Sequence, residues 1–232
     1  MKLSIISAVL NSHEVVRRQI LHYEKMNLRD VEILFIDDGS VPELKDTSSM
    51  VNFDIYKTND ERPWTEHIAR NIGVGLAEGE YVILIDIDYI LPKESIEYVL
   101  RFTGDRINFK RRFGVLDENG DIAHDKKTLK AYSLKSRYFK ETYFPGHRSQ
   151  FAMRQDLFWD LGGYREDLSG INHPGGGGAG QSFWKKWMKA ERKGRAVAHE
   201  YKPEIFMFPG GKFCKKDGDN PLGLFHDLKR EK

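Results

Sequence analysis

Apolar positions in the first hundred residues follow two alternating rhythms, unbroken runs and helical periods. Leu3–Val9 is a run of the kind a strand buried on both faces requires. Val15, Val16, Ile20 and Tyr23 then fall at helical spacing, with Ser12 placed to cap a helix reaching about Met26. Val31–Ile36 is a second buried strand ending in Asp37-Asp38-Gly39-Ser40, and Phe53–Tyr56 is a short third. Thr65 is placed to cap a helix with Ile68, Ile72 and Leu76 on its inner face, stopped by Gly79. The stretch EYVILIDIDYIL supplies a fourth strand, Tyr81–Ile85, closing in Asp86 and Asp88, and Pro92 opens a helix over Lys93–Phe102. This order predicts an α/β fold, a mostly parallel Rossmann-like sheet with helices on both faces.

Beyond residue 105 the pattern loosens. Ile107–Leu116 and Ser149–Met153 read as strands, with the turn Asp117-Glu118-Asn119-Gly120 between them. Lys126–Tyr143 has no clean period, and Asp156–Leu161 suggests a short helix. Pro174 with Gly175–Gly178 reads as a mobile loop, because four glycines lose much chain entropy on ordering. A helix over Gln181–Lys193 carries Phe183, Trp184 and Trp187. No repeat and no linker composition divides the chain, so it is read as one domain, with 1–105 and 106–232 as a regular and an irregular half.

Composition fits a globular chain of 232 residues, 40% hydrophobic and 12% aromatic. No apolar stretch approaches the roughly 18 residues of a membrane span. MKLSIISAVL lacks a small-residue cleavage site, and the single cysteine, Cys214, permits no internal disulfide. A cytoplasmic setting is expected. Charge changes the picture more. Residues 1–105 carry 11 Lys/Arg against 19 Asp/Glu, a balance of −8, and residues 106–232 carry 26 against 16, a balance of +10. Arg106, Lys110, Arg111 and Arg112, then Lys126 to Lys140, interleave with Phe109, Phe113, Tyr132, Tyr138 and Phe139. Such interleaving suits phosphate contacts with base stacking, so a nucleic-acid partner is one expectation and a solvated face over a partly buried hairpin the other.

Asp86 and Asp88 carry the sharpest chemistry. Carboxylates at the C-terminal end of a buried parallel strand lie where open α/β sheets bind ligands. Two of them repel unless a cation lies between, and oxygen donors suit Mg²⁺ or Mn²⁺, which in turn hold a diphosphate.

Three stretches in order, SIISAVLNSHEVVRRQI, VEILFIDDGS and ARNIGVGLAEGEYVILIDIDYIL, resemble the GT-A glycosyltransferases of the family 2 type. QFAMRQDLFWDLGGYREDL is similar to that family's acceptor-side strand and Gly-Gly-aromatic turn. The resemblance implies a metal-dependent transfer from a nucleotide-diphosphate sugar to a hydroxyl acceptor, with inversion favoured over retention. It implies a donor half over 1–105 and an acceptor half over 106–232. On the donor side it implies nucleotide contacts from Ala8, Leu10, Asn11, Asp38, Arg62, Trp64, Arg70 and Asp86, with Asp37 only forming the turn. Metal contact falls to Asp88 with Asp86, and His199 or His226 are further metal-ligand candidates. The basic and aromatic residues of the second half themselves make Lys110, Arg111, Arg112, His147, Arg148 and Trp184 the acceptor-side candidates, although two tryptophans three apart on one helix also suit core packing.

Two departures stand out. Leu10 occupies a place where the family often has an aromatic residue stacked on uracil, which leaves the donor base open. Inverting members place an acidic pair before the acceptor-side helix, and here that place reads Gly180-Gln181-Ser182. The catalytic base is then sought among Glu166, Asp167 and His173. The positive second half favours an anionic acceptor, one version being a hydroxymethylated base in phage-type DNA, which has to be flipped from a duplex to react. A glycan acceptor and a non-catalytic nucleotide-sugar or nucleic-acid binding module are the alternatives. A sugar nucleotidyltransferase needs a glycine-rich, Arg-containing loop after the first strand, and Ala8–Glu14 has none.

Overall fold

A computed structural model of the chain describes residues 1–62, 65–139, 144–145, 147–168, 178–197, 200–210 and 213–214. Strands β1 (Leu3–Val9), β2 (Val31–Asp37), β3 (Phe53–Lys57) and β4 (Tyr81–Leu84) form a parallel sheet in the order β3-β2-β1-β4. Helices α1 (His13–Met26), α2 (Glu66–Leu76) and α3 (Lys93–Leu100) connect or follow them. Side chains alternate across the sheet. Leu3, Ile5, Ile33 and Phe35 join Val16, Ile20 and Ile96 in the core under α1 and α3, while Ile6, Leu34 and Ile36 join Ala69 and Val74 of α2 on the other face. The expected α/β architecture is the observed one.

The run from Glu80 to Leu91 is two strands rather than one. β4 stops at Leu84, the chain turns at Asp86–Asp88, and β5 (Tyr89–Ile90) pairs with a strand from the far end of the sequence. Ile107–Leu116 likewise splits into β6 (Arg106–Phe113) and β7 (Val115–Leu116). The split falls at Gly114, where a Cβ would lie 2.5 Å from the Phe206 ring. The turn Asp117–Gly120 closes a hairpin of β7 with β8 (Ile122–Ala123) and does not lead to the next sheet strand. Part of the aperiodic basic stretch is ordered: Asp125 caps α4 (Lys126–Ala131) through its carboxylate.

The sheet continues past β4 through β10 (Phe151–Arg154), which follows β9 (Phe144–Pro145), then β6, then β11 (Glu200–Met207) and β5. β10 runs antiparallel to both neighbours, β11 parallel to β6, and β9 pairs with β6 off this path. β1, β2, β3, β4, β6 and β11 therefore share one direction, which keeps the sheet mostly parallel. Helices α5 (Gln155–Asp160) and α6 (Gly178–Arg192) cover the same face as α2, with Phe158, Phe183 and Trp187 inside. α6 starts three residues before the expected Gln181, so Gly178 is helical; residues 174–177 lie outside those described.

Two start signals and one stop signal act differently from expectation. Ser12 and Thr65 stand at the N-cap positions of α1 and α2, but neither side chain caps. Ser12 donates to the Leu10 carbonyl, and the Thr65 hydroxyl is used elsewhere. Gly79 lies beyond the end of α2, where its N–H donates to Ser4 Oγ at 2.9 Å. A Cβ there would lie 2.6 Å from the Ser4 backbone nitrogen. Gly79→Ala is expected to cost about 1–3 kcal/mol, read as a lower Tm in thermal unfolding with the site chemistry unchanged.

Candidate active site

The C-terminal ends of β1, β2 and β4 meet at one sheet edge. There β2 runs into Asp37 and Asp38, and β4 into Asp86 and Asp88. Asp37 is buried and accepts hydrogen bonds from Ser40 N at 2.8 Å and Leu44 N at 3.3 Å, so it shapes the turn. Asp38 is held from both sides. Its backbone N–H donates to the Val9 carbonyl at 2.8 Å, and its carboxylate accepts from Thr65 Oγ1 and, at 3.2 Å, from Thr58 Oγ1. Thr65 thus spends its hydroxyl on orienting Asp38, a role its position before a helix does not announce.

Arg70 is the most enclosed charge of the site, with none of its surface exposed. It pairs with Asp86 and, at 2.9 Å, with Glu66 one turn earlier on α2. It also donates to the Ser149 carbonyl at 3.1 Å and to the Tyr164 hydroxyl at 3.3 Å. Burial opposes its charge, but Glu66, Asp86 and Tyr164 together outweigh burial and raise its pKa. Asp86 accepts a second hydrogen bond from Gln150 Nε2. Its pKa is nevertheless raised, because desolvation outweighs the pull of Arg70.

Asp88 is in the opposite situation. Its carboxylate forms no ion pair and accepts no hydrogen bond from another residue's side chain among the described residues. Burial and the neighbouring Asp86 charge push its pKa well above the usual carboxylate range. The turn that carries it is pinned on both sides. Gln19 Nε2 of α1 donates to the Ile87 and Tyr89 carbonyls at 3.2 and 2.7 Å, and Phe208 N donates to the Asp88 carbonyl at 2.9 Å. A carboxylate with no ion pair among the described residues, carried on a pinned turn, fits a divalent cation. No group of three His, Cys, Asp or Glu side chains suited to a metal occurs among the described residues. A Mg²⁺-type site of one or two carboxylates completed by substrate phosphates needs no such group. A separate cavity of about 490 Å³, lined in part by Lys2, Glu80 and Arg154, lies at the opposite end of the sheet.

The sequence profile of Glycosyl transferase family 2 matches residues 4–162. The chain belongs to this family. Among curated relatives, glycosyltransferase GlyG of Streptococcus pneumoniae is 26% identical over 98 residues, 41% of this chain and 33% of the relative. A glycosyltransferase of Haemophilus influenzae is 28% identical over 107 residues, 43% of this chain and 41% of the relative. The alignments therefore span less than half of these relatives' own lengths. Among solved structures, residues 1–349 of Staphylococcus aureus TarS superpose with a TM-score of 0.58 at 17% identity, over 90% of this chain and 60% of that one. The same fragment in complex with UDP-GlcNAc gives 0.60 at 15% identity, over 92% and 60%. This likeness shows the GT-A fold.

Asp38, Arg70, Asp86 and Asp88 all fall inside the matched family 2 segment. Around them the other expected residues divide. Ala8 and Leu10 stand half-buried at the end of β1. The Asn11 side chain accepts from Val41 N at 2.8 Å and its own N–H donates to Ser40, so it ties the first two strand ends together. Arg62 is exposed and paired with Asp60 at 2.6 Å. Arg111 reaches the Tyr89 hydroxyl at 2.7 Å and its charge acts on Asp88, whereas Arg112 is paired with Glu204 and lies over the Phe206 ring. Lys110 is exposed. His147 is exposed but close enough to Asp86 to feel its charge. Arg148 lies 5.7 Å from the Trp184 ring centre, on the same tryptophan that Arg106 faces at 5.0 Å.

Arg106 departs from the basic-surface expectation: it is fully buried, stacked 4.0 Å over Phe151. Asp167 is exposed and paired with Arg165, which lowers its pKa, and Glu166 accepts from Asn71 Nδ2 at 2.9 Å. Trp64, Lys140, His173, His199 and His226 lie outside the described residues. Among the described residues no helix is long and apolar enough to cross a membrane.

Proposed function

We propose that the chain transfers a sugar from a nucleotide-diphosphate sugar to a hydroxyl acceptor, with inversion at the anomeric carbon. The observation that carries this is the convergence of Asp38, Asp86 and Asp88 at one parallel sheet edge, with buried Arg70 beside them. Family membership and the fold shared with a protein crystallised with UDP-GlcNAc support the donor class. In this reading residues 1–105 bind the donor and 106–232 face the acceptor.

Asp38, fixed by Thr58 and Thr65, offers its carboxylate as a hydrogen-bond acceptor to the nucleotide base. Asp88 holds the divalent cation, Mg²⁺ or Mn²⁺, and Asp86, already held by Arg70 and Gln150, braces the turn. A cation held there would supply charge neutralisation for the leaving diphosphate. Arg70 adds fixed positive charge behind Asp86.

The DNA-acceptor version has weaker support than the transfer itself. Phe109 and Phe113, two of the interleaved aromatics that would stack bases, are core residues, and Phe113 packs on Tyr138 and Phe213. The test is nucleotide release from UDP-, GDP-, ADP- and TDP-sugars with Mn²⁺, with and without hydroxymethylated duplex DNA. Release from one donor, lost on chelation, is the expected result. Acceleration by DNA would select the nucleic-acid acceptor, and indifference to DNA would select a glycan. A donor that binds and is never cleaved, with or without either acceptor, would overturn the transferase reading in favour of a binding module.

A further inference from the structure

A hydroxyl attacking an anomeric carbon needs a group to take its proton. The start of α6, where a carboxylate is expected, reads Gly178-Ala179-Gly180-Gln181-Ser182 and contains no ionisable side chain. Glu166 and Asp167 are engaged elsewhere, with Asn71 and Arg165. The space beside Gly180 is filled from the other direction. A Cβ on Gly180 would meet His67 Nε2 at 3.2 Å and Ser149 Oγ at 3.5 Å. His67 sits one turn before Arg70 on α2, half-buried, with its ring edge-on to Tyr164 at 4.8 Å between centres. The segment that would carry the carboxylate opens on this glycine, and an imidazole nitrogen stands 3.2 Å from where a side chain on it would begin.

We infer that His67 accepts the proton of the incoming hydroxyl, Nε2 taking the place of the carboxylate missing from α6. The inference rests on the sugar-transfer reading. The acceptor's O–H proton passes to Nε2 while its oxygen bonds to the anomeric carbon. The bond from that carbon to the diphosphate oxygen breaks, and its electron pair leaves with the nucleoside diphosphate. The charged and titratable groups around the ring are Glu66 and Arg70 from α2, Asp86 from the turn after β4 and Tyr164 from the turn after α5. Burial, then Arg70, pull the His67 pKa down from 6.5 to about 4, against the opposing effect of Asp86. The ring is uncharged at neutral pH, and as a base it matches the carboxylate it replaces, whose ordinary pKa is about 4.

The test compares wild type, His67→Gln, His67→Ala and the double variant His67→Ala/Gly180→Asp. Each is assayed for hydrolysis of UDP-GlcNAc with Mn²⁺, or of whichever panel donor the wild type cleaves, and for donor binding by titration calorimetry. His67→Gln is expected to lose about 100-fold or more in turnover, with donor Kd unchanged and an unaltered circular dichroism spectrum. The double variant is expected to recover about tenfold or more over His67→Ala, because an aspartate at 180 returns a base to the same space. Turnover of His67→Gln within about threefold of wild type overturns the inference, as does a fall in donor affinity that accounts for the whole loss. A wild type that cleaves no donor is seen without any variant, and it overturns the transfer reading and this inference with it.

Discussion

Asp88→Asn is expected to abolish metal-dependent donor cleavage, by about 10³-fold or more, since a bound cation supplies several kcal/mol of charge stabilisation. The same substitution is expected to stabilise the metal-free fold. Burial and the Asp86 charge raise the pKa of Asp88 above its unfolded value. For a carboxylate shifted in that direction, native stability falls as pH rises from the unfolded pKa through the folded one. Above its raised folded-state pKa the charged group destabilises the fold, and an uncharged isostere removes that cost. Mn²⁺ reverses the comparison: it should raise the Tm of the wild type by mass action and leave Asp88→Asn unmoved. Thermal unfolding with and without Mn²⁺, beside a donor-cleavage assay, checks both halves. A wild-type Tm indifferent to Mn²⁺ would remove Asp88 from the metal site.

The first hundred residues were legible because each of their signals is local. Apolar runs at Val31–Ile36 and Tyr81–Ile85 read as buried strands, and their polar ends put Asp38, Asp86 and Asp88 on one edge once the strands are parallel. The partners that make these groups functional were not legible, because they come from far along the chain. Thr65 lies 27 residues from Asp38, Gln150 lies 64 from Asp86, and Tyr164 lies 94 from Arg70. His67 has meaning only beside Gly180, more than a hundred residues away.

The second half resisted reading for a different reason. β11 contains Pro203 and three charged residues, a poor strand signature, and a register shift between Tyr201 and Glu204 accommodates the proline. β6 reads as a basic surface strand, yet Arg106 is buried because Phe151, Trp184 and Trp187 surround its guanidinium with ring faces. Hydrophobic period finds this strand but cannot show that the arginine at its start is buried.

Arg70→Met carries the largest expected effect on stability. The substitution keeps the length and apolar stem of the side chain but removes the charge between Asp86 and Glu66. Breaking a buried pair by deleting one partner costs about 3–5 kcal/mol, because the other charge stays behind. About a third of the Asp86 side chain is exposed, so solvent screening puts the expectation near the lower end, about 3 kcal/mol. At this chain length that corresponds to a Tm lowered by about 6–12 °C. Asp86→Asn alone should cost less, since Arg70 keeps Glu66, and adding it to Arg70→Met should recover part of the loss. The shortfall of the double variant's loss from the sum of the two single losses is the coupling energy of the pair. The sign with pH follows from the carboxylate. Without Arg70 the Asp86 pKa rises further, so the deficit of Arg70→Met should shrink as pH falls from 8 towards 5, and that trend should vanish in the double variant. Thermal unfolding of the four proteins across this range decides the matter. Additive losses with no pH trend would mean that Arg70 acts through packing on Tyr164 and the Ser149 carbonyl, and not through Asp86.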